Sequence, residues 1–350
     1  MGAKPGEKSS AEVRNQQQAN RRVTSVDVAA DSGVSQATVA RVFSSPEKVS
    51  PATREKVRSA AERLGYVPNA IARSLKSQRT NIVGAVVPAY GEYWQNVLAE
   101  FSRQLAQRSY QLLLFSFAKP EDVDGALGSV AQYRLDGVIL ASATIGQAQL
   151  GRMQSSPLPS VAFNQPAAEG LVPSVSVDNE LGMAELAQHL VDMKVGTALY
   201  IGGVSSVSTD QVRYRGAVQA LAEHGVACPY MEAGAYTYDA GYKAAGELAQ
   251  RDNLPEAVMV GSDEVAFGVL DGLENAGVSA PRDLLLTGFD GLPQASWAGY
   301  DLTTLVQATD VLVAQAIDVL LESNGATDRP ASVVVPGTIR YGMTTKKSNG

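Results

Sequence analysis

Gln36, Ala37 and Arg41 lie in the stretch VSQATVAR, whose other side chains are small or β-branched. On a helix, positions 37 and 41 are one turn apart and share an outward face with Gln36, while Val39 and Val42 turn inward. An amide, a methyl and a guanidinium fork on one face form a set suited to base edges in a DNA major groove. Arg41 can reach guanine O6 and N7, Gln36 can hydrogen-bond a base edge, and Ala37 suits a thymine methyl. Thr24, Ser25, Ser35, Thr38 and Ser50 carry hydroxyls near expected helix starts, where they can hold phosphates and fix register. Taken singly, Arg41 is more often a solvated surface charge. The weight rests on the joint pattern SVDVAADSGVSQATVARV, with apolar residues at 28, 34, 39 and 42 and Gly33 in the turn.

Catalytic parts are missing from the rest of the chain. It has no G-x-S-x-G elbow, no P-loop and no strand-linked G-x-G-x-x-G. Cys228, His189 and His224 fall in unrelated segments, so no disulfide framework, no metal site and no cofactor are expected. His189 sits mid-helix in AELAQHLVDM and reads as a packing or surface residue. Tyr93 and Trp94, in GEYWQNVLAEF, stand at the start of the helix that follows the first strand. Aromatic faces in that position stack on sugar rings, or simply pack the helix start.

The elements that must position these residues follow from periodicity. Residues 1–22 are rich in Gln, Asn, Ser, Gly and Lys and are expected to be a disordered tail. A first helix opens at Thr24 or Ser25 and closes at Gly33, and a second runs over 35–43. A third, from about Thr53 to Leu64, is expected to bury Val57, Ala61 and Leu64 before Gly65 stops it. Three short helices with a tight turn between the first two make a helix-turn-helix unit.

Beyond residue 80 strands alternate with helices in two series. The first has NIVGAVV, a helix near 93–108, YQLLLFS, a helix near 121–133, GVILAS and SVAF. The second has TALYIGG, helices near 210–223 and 239–250, AVMVG, a helix near 263–275 and DLLLTGF. Short apolar runs between amphipathic helices indicate two α/β halves, each on a parallel sheet, with a cleft where the strand carboxyl ends face each other.

Charge divides the same way. The whole chain carries −7, but residues 1–80 hold 14 Lys and Arg against 7 Asp and Glu, and residues 81–350 hold 15 against 29. A head of +7 on a body of −14 lets the first part approach phosphates while the second avoids them. No run of about eighteen apolar residues and no secretory h-region occur, so no membrane partner and a cytoplasmic location, nucleoid-associated when on DNA, are expected.

The segment VTSVDVAADSGVSQATVARVFSSPEKVSPATREKVRSAAERLGYVPNAIARSLKSQRT resembles the whole headpiece and hinge of the lactose/galactose-repressor family of bacterial transcription regulators, and the body is similar to that family up to about residue 345. The resemblance implies an α/β protein with an N-terminal three-helix helix-turn-helix DNA-binding headpiece (23–68) and a hinge helix and linker (69–80). A two-subdomain body of the periplasmic-binding-protein type follows over 81–345, with its N-subdomain at about 81–178 plus 307–330 and its C-subdomain at about 179–306 plus 331–345. Residues 346–350 are left as a tail. It places Gln36, Ala37 and Arg41 at base-reading positions and Thr24, Thr38 and Lys48 at backbone contacts, with Ala40 where many relatives have a phosphate-touching serine.

For the hinge, PNAIARSLKS, the resemblance implies that Asn69, Ala72, Arg73, Leu75 and Lys76 meet DNA. Two turns are too short to persist alone in water. Paired hinges from two subunits would order in the minor groove, with Leu75 as an apolar wedge; an ordinary flexible linker is the plainer alternative. In the body it places Ser142, Asn164, Arg213, Tyr236, Ser262, Asp263, Asp290 and Gln307 at cleft positions, beside Tyr93 and Trp94. Asn164 stands where an aspartate is frequent, Ser262 where an asparagine is, and Gly291 where a second aspartate is, so the ligand cannot be copied from a relative. Arg215 reads as a surface charge.

The expectation is a homodimeric regulator, a repressor in preference to an activator, on near-palindromic operator DNA. A small effector controls it allosterically, a sugar or a sugar acid in preference to a nucleoside. No apolar heptads follow residue 340, so no tetramerising coiled coil is expected. The alternatives are a sugar-active enzyme or a binding protein on the same body, and saturable quenching of Trp94 or Trp297 without turnover would separate them.

Overall fold

The computed structural model describes residues 23–67, 79–89, 91–142, 144–165, 171–322 and 332–346, and the chain divides into two units, residues 1–80 and 81–350.

In the first unit α1 (Ser25–Ser32), α2 (Gln36–Ser44) and α3 (Pro51–Leu64) are each set by a hydroxyl at the entry. The Thr24 amide and hydroxyl both donate to the Asp27 carboxylate, at 2.8 and 2.7 Å. Ser35 Oγ accepts from the Thr38 amide at 3.1 Å, and Ser50 Oγ from the Thr53 amide at 3.3 Å. α3 therefore starts two residues before Thr53, because a proline at the first helical position gives up an N–H that no carbonyl would have accepted. Gly33 ends α1 at φ +64°, a left-handed conformation that costs glycine nothing. Val28, Ala29, Val39, Val42, Val57, Ala60 and Ala61 form the core. Leu64, expected inside, is only partly buried, and Ala60 takes the inner place.

The second unit holds two six-stranded sheets. In the first lobe β1 (Ile82–Pro88), β2 (Gln111–Phe117), β3 (Gly137–Leu140), β4 (Ser160–Phe163) and β5 (Ser174–Val177) alternate with α4 (Glu92–Gln107), α5 (Val123–Val130) and α6 (Gln147–Gln154). In the second, β6 (Ala198–Gly202), β7 (Tyr230–Glu232), β8 (Ala257–Val260) and β9 (Leu285–Asp290) alternate with α7 (Asn179–Asp192), α8 (Ser208–Ala222), α9 (Tyr238–Ala249) and α10 (Asp263–Asn275). β10 (Thr303–Val306) joins the second sheet, α11 (Thr309–Glu322) packs on the first, β11 (Ser332–Val335) pairs in the first and β12 (Thr338–Arg340) in the second.

The chain thus passes between lobes at 177–179, 306–309 and 335–338. The boundary expected at 331 is corrected. Residues 332–335 belong to the N-subdomain, where β11 runs parallel to β5 in register Ser332 to Ser174, and only the residues after them return. The second sheet is not wholly parallel either, since β12 runs antiparallel to β10 at its edge. A tight loop suffices for an edge strand that arrives from the other lobe rather than through a helix. The helix expected at 121–133 is shorter, Val123–Val130, because a 3-10 turn occupies 120–122. One apolar cluster runs from Val83, Phe101 and Phe163 in the first lobe to Met183, Tyr200 and Leu305 in the second.

Candidate functional site

On the headpiece, Val39 and Val42 are buried while Gln36, Ala37, Ala40 and Arg41 are exposed. α2 therefore offers the amide, the methyl and the guanidinium together. Gln36 Nε2 donates to Ser25 Oγ at 3.0 Å, tying its amide to the start of α1. Thr24, Ser35 and Ser50 are exposed but spend bonds on capping, and Lys48 is exposed at the end of a 3-10 turn. The helix starts that they cap still present amides and a partial positive charge, which suit a phosphate. Asn69, Ala72, Arg73, Leu75 and Lys76 lie outside the described residues.

In the body a chain of bonded polar groups crosses from one lobe to the other at the carboxyl ends of the strands. It begins on α4, where the Tyr93 hydroxyl donates to Gln307 Oε1 at 3.0 Å. Gln307, on the 306–309 passage, donates through Nε2 to Asp290 Oδ1 at 2.7 Å. The same oxygen lies 3.4 Å from Arg213 Nη2. Arg213 Nε donates to Asn179 Oδ1 at 2.8 Å, its Nη1 donates to the Gly261 carbonyl at 2.6 Å, and its guanidinium lies 3.8 Å over the Phe289 ring. α8 can carry Arg213 to this spot because Gly216 lets it press against α7, where a Cβ would overlap the Glu180 carbonyl.

Burial governs the electrostatics. Asp290 is pushed up to about 6 by desolvation, with the charge of Arg213 and the bond from Gln307 pulling the other way. Its backbone is held at φ +123°, a strained setting for any residue with a side chain. Burial also drives the Tyr93 and Tyr236 hydroxyls far up, so both stay neutral donors. Arg213 is 5% exposed and has an acceptor or a ring on every side, so its charge is already balanced by Asp290.

Several residues expected in the cleft are also bonded within the protein. Asp263 is fully buried, and its carboxylate accepts from Thr304 Oγ1 at 2.6 Å and the Leu292 amide at 2.7 Å, which pins the loop after β9 and strand β10 to the start of α10. Burial, followed by the charge of Asp290, pushes it up to about 7. Ser262 caps α10 by accepting from the Val265 amide at 3.4 Å. Ser142, two residues past β3, bonds the Thr144 amide and hydroxyl. Asn164, just after β4 at φ +53°, and Tyr236 keep buried oxygens without a protein partner, Oδ1 and the hydroxyl respectively. Trp94 meets Tyr93 edge to face at 5.1 Å.

Sequence reasoning missed Asn179, Phe289 and Asp210. Asp210 is almost fully buried and accepts from the Tyr200 and Tyr230 hydroxyls at 3.1 and 2.6 Å. Phe289 had a signal, as the strand neighbour of Asp290; Asn179, 34 residues from Arg213, had none. Arg215 is an exposed ion pair with Glu180, as expected. His189 is partly buried, within 2.9 Å of Thr345 Oγ1 and edge-on to Tyr341, and burial lowers its pKa. A groove of about 400 Å³ away from these residues is lined by Asp124, Leu127, Gly128, Arg152 and Met153. Among the described residues no cluster of His, Cys, Asp or Glu fits a metal ion, and no helix is long and apolar enough to cross a membrane.

Comparison with known proteins bears on both units. Residues 25–69 match the model of bacterial regulatory proteins of the lacI family, and residues 80–343 match that of periplasmic binding proteins and the sugar binding domain of the LacI family. Catabolite control protein A of Priestia megaterium is 32% identical over 330 residues, 93% of this chain and 99% of that protein. The lac repressor dimer bound to operator and the anti-inducer ONPF superposes with a TM-score of 0.81 at 22% identity, over 93% of this chain and 99% of that one. The regulator CelR in complex with cellobiose gives 0.68 at 27% identity, over 92% and 100%. Headpiece and two-lobed body thus occur here in the family's order, and the chain belongs to the LacI family of bacterial regulatory proteins.

Proposed function

We propose that this protein is a homodimeric, cytoplasmic repressor that reads a near-palindromic operator through α2 and answers to an uncharged, polyhydroxylated effector in the cleft of its body. The observation that carries the reading is the bonded chain Tyr93, Gln307, Asp290, Arg213, which ties one lobe to the other at the strand carboxyl ends. A ligand that exchanges its hydroxyls for these bonds changes how the lobes meet. Linkage then makes operator affinity and ligand affinity depend on each other.

Arg213 and Asp290 neutralise one another, so a sugar acid would bring an unmatched charge into a dry site, which is costly. A neutral sugar brings none. Hydroxyls would meet the oxygens of Asn164 and Tyr236 that lack partners, and the faces of Tyr93 and Trp94 suit a sugar ring. This narrows the earlier expectation of sugar or sugar acid to the first. Cellobiose in CelR and the operator of the lac repressor are consistent with it. Binding without turnover is part of the reading, since relatives are regulators rather than enzymes.

For the DNA, Gln36, Ala37 and Arg41 read base edges while Thr24, Ser25, Ser35, Thr38, Lys48 and Ser50 surround phosphates. The hinge residues Asn69, Ala72, Arg73, Leu75 and Lys76 enter the minor groove. The test is selection of duplexes from a random pool by the full chain, followed by a thermal-shift screen of neutral sugars against sugar acids. Leu75→Ala should weaken the selected duplex far more than a scrambled one, and equal loss would make the hinge a plain linker. Stabilisation by sugar acids alone would reverse the assignment of ligand charge.

A further inference from the structure

α4 starts in an unusual way. Its entry residue is Gly91, which has no side chain to cap the helix. The missing acceptor comes from the opposite lobe, where Glu264, in the first turn of α10, accepts from the Glu92 amide through Oε2 at 3.1 Å. The return contact is Gln294 Nε2, also from the second lobe, donating to Glu92 Oε2 at 2.8 Å. Together they tie both the backbone and the side chain of Glu92 to the second lobe, with Glu264 in the place of a capping acceptor. The Glu264 carboxylate therefore sits between two helix starts, its own and that of α4, and both favour negative charge.

We propose that Glu264 and Gln294 are positioning residues that latch the two lobes through Glu92 and so set where Tyr93 and Trp94 stand, independently of any bond to ligand. The reason is local. Glu92 precedes Tyr93 directly, and the space beside Gly91 is bounded by the Trp94 ring and by Glu264 Oε2. Fixing the first turn of α4 to the second lobe fixes both aromatics relative to Asp290 and Arg213. Gln294 is an amide at a place where a carboxylate would face Glu92, so the latch depends on a neutral donor opposite the Glu92 carboxylate. This rests on the cleft being the effector site, but its test needs neither effector nor operator.

The experiment uses the full chain in a Trp297→Phe background, so that Trp94 is the only indole, with acrylamide as quencher. Gln294→Glu sets two carboxylates against each other across the lobes and should raise the Trp94 quenching constant above that of the Trp297→Phe parent. Glu92→Gln in that variant gives the new carboxylate a donor and should restore the original value. Unchanged quenching in Gln294→Glu overturns the latch, as does an increase that Glu92→Gln leaves undiminished. Circular dichroism on each variant shows whether the fold is retained. If Gln294→Glu fails to fold, Glu264→Ala is read in the same assay, where unchanged quenching again overturns the latch. Neutral-sugar binding, measured separately on the parent chain, tells a failed effector reading from a failed latch.

Discussion

In the headpiece, Gln36, Ala37 and Arg41 stand on the solvent side of α2 above Val39 and Val42. In the body, Arg213 is 5% exposed, and its guanidinium meets Asn179, Gly261, Asp290 and the Phe289 ring. One arginine waits for a partner, and the other already has several. A base can be added to the first without removing anything but water. A ligand reaching the second must replace bonds that the protein makes with itself, and that replacement is what lets it alter the relation between lobes. Surface recognition and allosteric response thus demand opposite treatments of the same side chain.

The largest test of this contrast is Arg213→Met. It would leave the buried Asp290 carboxylate without its charge partner and the Asn179 and Gly261 oxygens without their Arg213 donor, and loss of about 3–5 kcal/mol is expected for breaking such a pair. Urea unfolding of the full chain followed by fluorescence measures it, and a loss near zero would mean that the cleft is not self-bonded. Arg41→Ala should do the reverse, leaving the unfolding midpoint in place. It should cost roughly 1–3 kcal/mol of discrimination at one base pair of a selected duplex. Competition with singly substituted duplexes reads that number, and an unchanged preference removes Arg41 from the base-reading set.

The smallest effect is on pH. Asp290 and Asp263 titrate at about 6 and about 7 in the folded body, above the ordinary carboxylate value. Between the two states the folded chain holds protons that the unfolded chain releases, so their contribution to stability is fully present at low pH and is lost as pH rises through 6 to 7. The thermal midpoint of the body should therefore gain from these groups on going from about pH 7.5 to about pH 5.5, and Asp263→Asn should flatten that gain. A slope untouched by Asp263→Asn would place the proton uptake elsewhere.

Legibility in the sequence followed the same divide. The helices of the headpiece, its turn at Gly33 and the exposed face of α2 were plain, because local periodicity and capping decide them over a few residues. So were the alternating strands and helices of the body and the place of Asp290 at a strand end. The return of 332–335 to the first sheet was not, since no local signal says which of two similar sheets a short Val-rich strand will join. Ser262 and Asp263 show a further limit. Their positions suggest the cleft, but not that Asp263 also holds Leu292 and Thr304, 29 and 41 residues away, which only the fold brings within its reach.

By itself the amino-acid order determined the division into a basic head and an acidic two-lobed body, the three short helices, and which side chains of α2 stay in water. These are consequences of charge, period and capping that act between near neighbours. Only the tertiary structure decided that Arg213 would be balanced by Asp290, that Tyr93 would reach Gln307, and that α4 would be capped from the opposite lobe by Glu264. Those bonds join residues up to 214 positions apart, and their strength depends on the exclusion of water that packing alone provides.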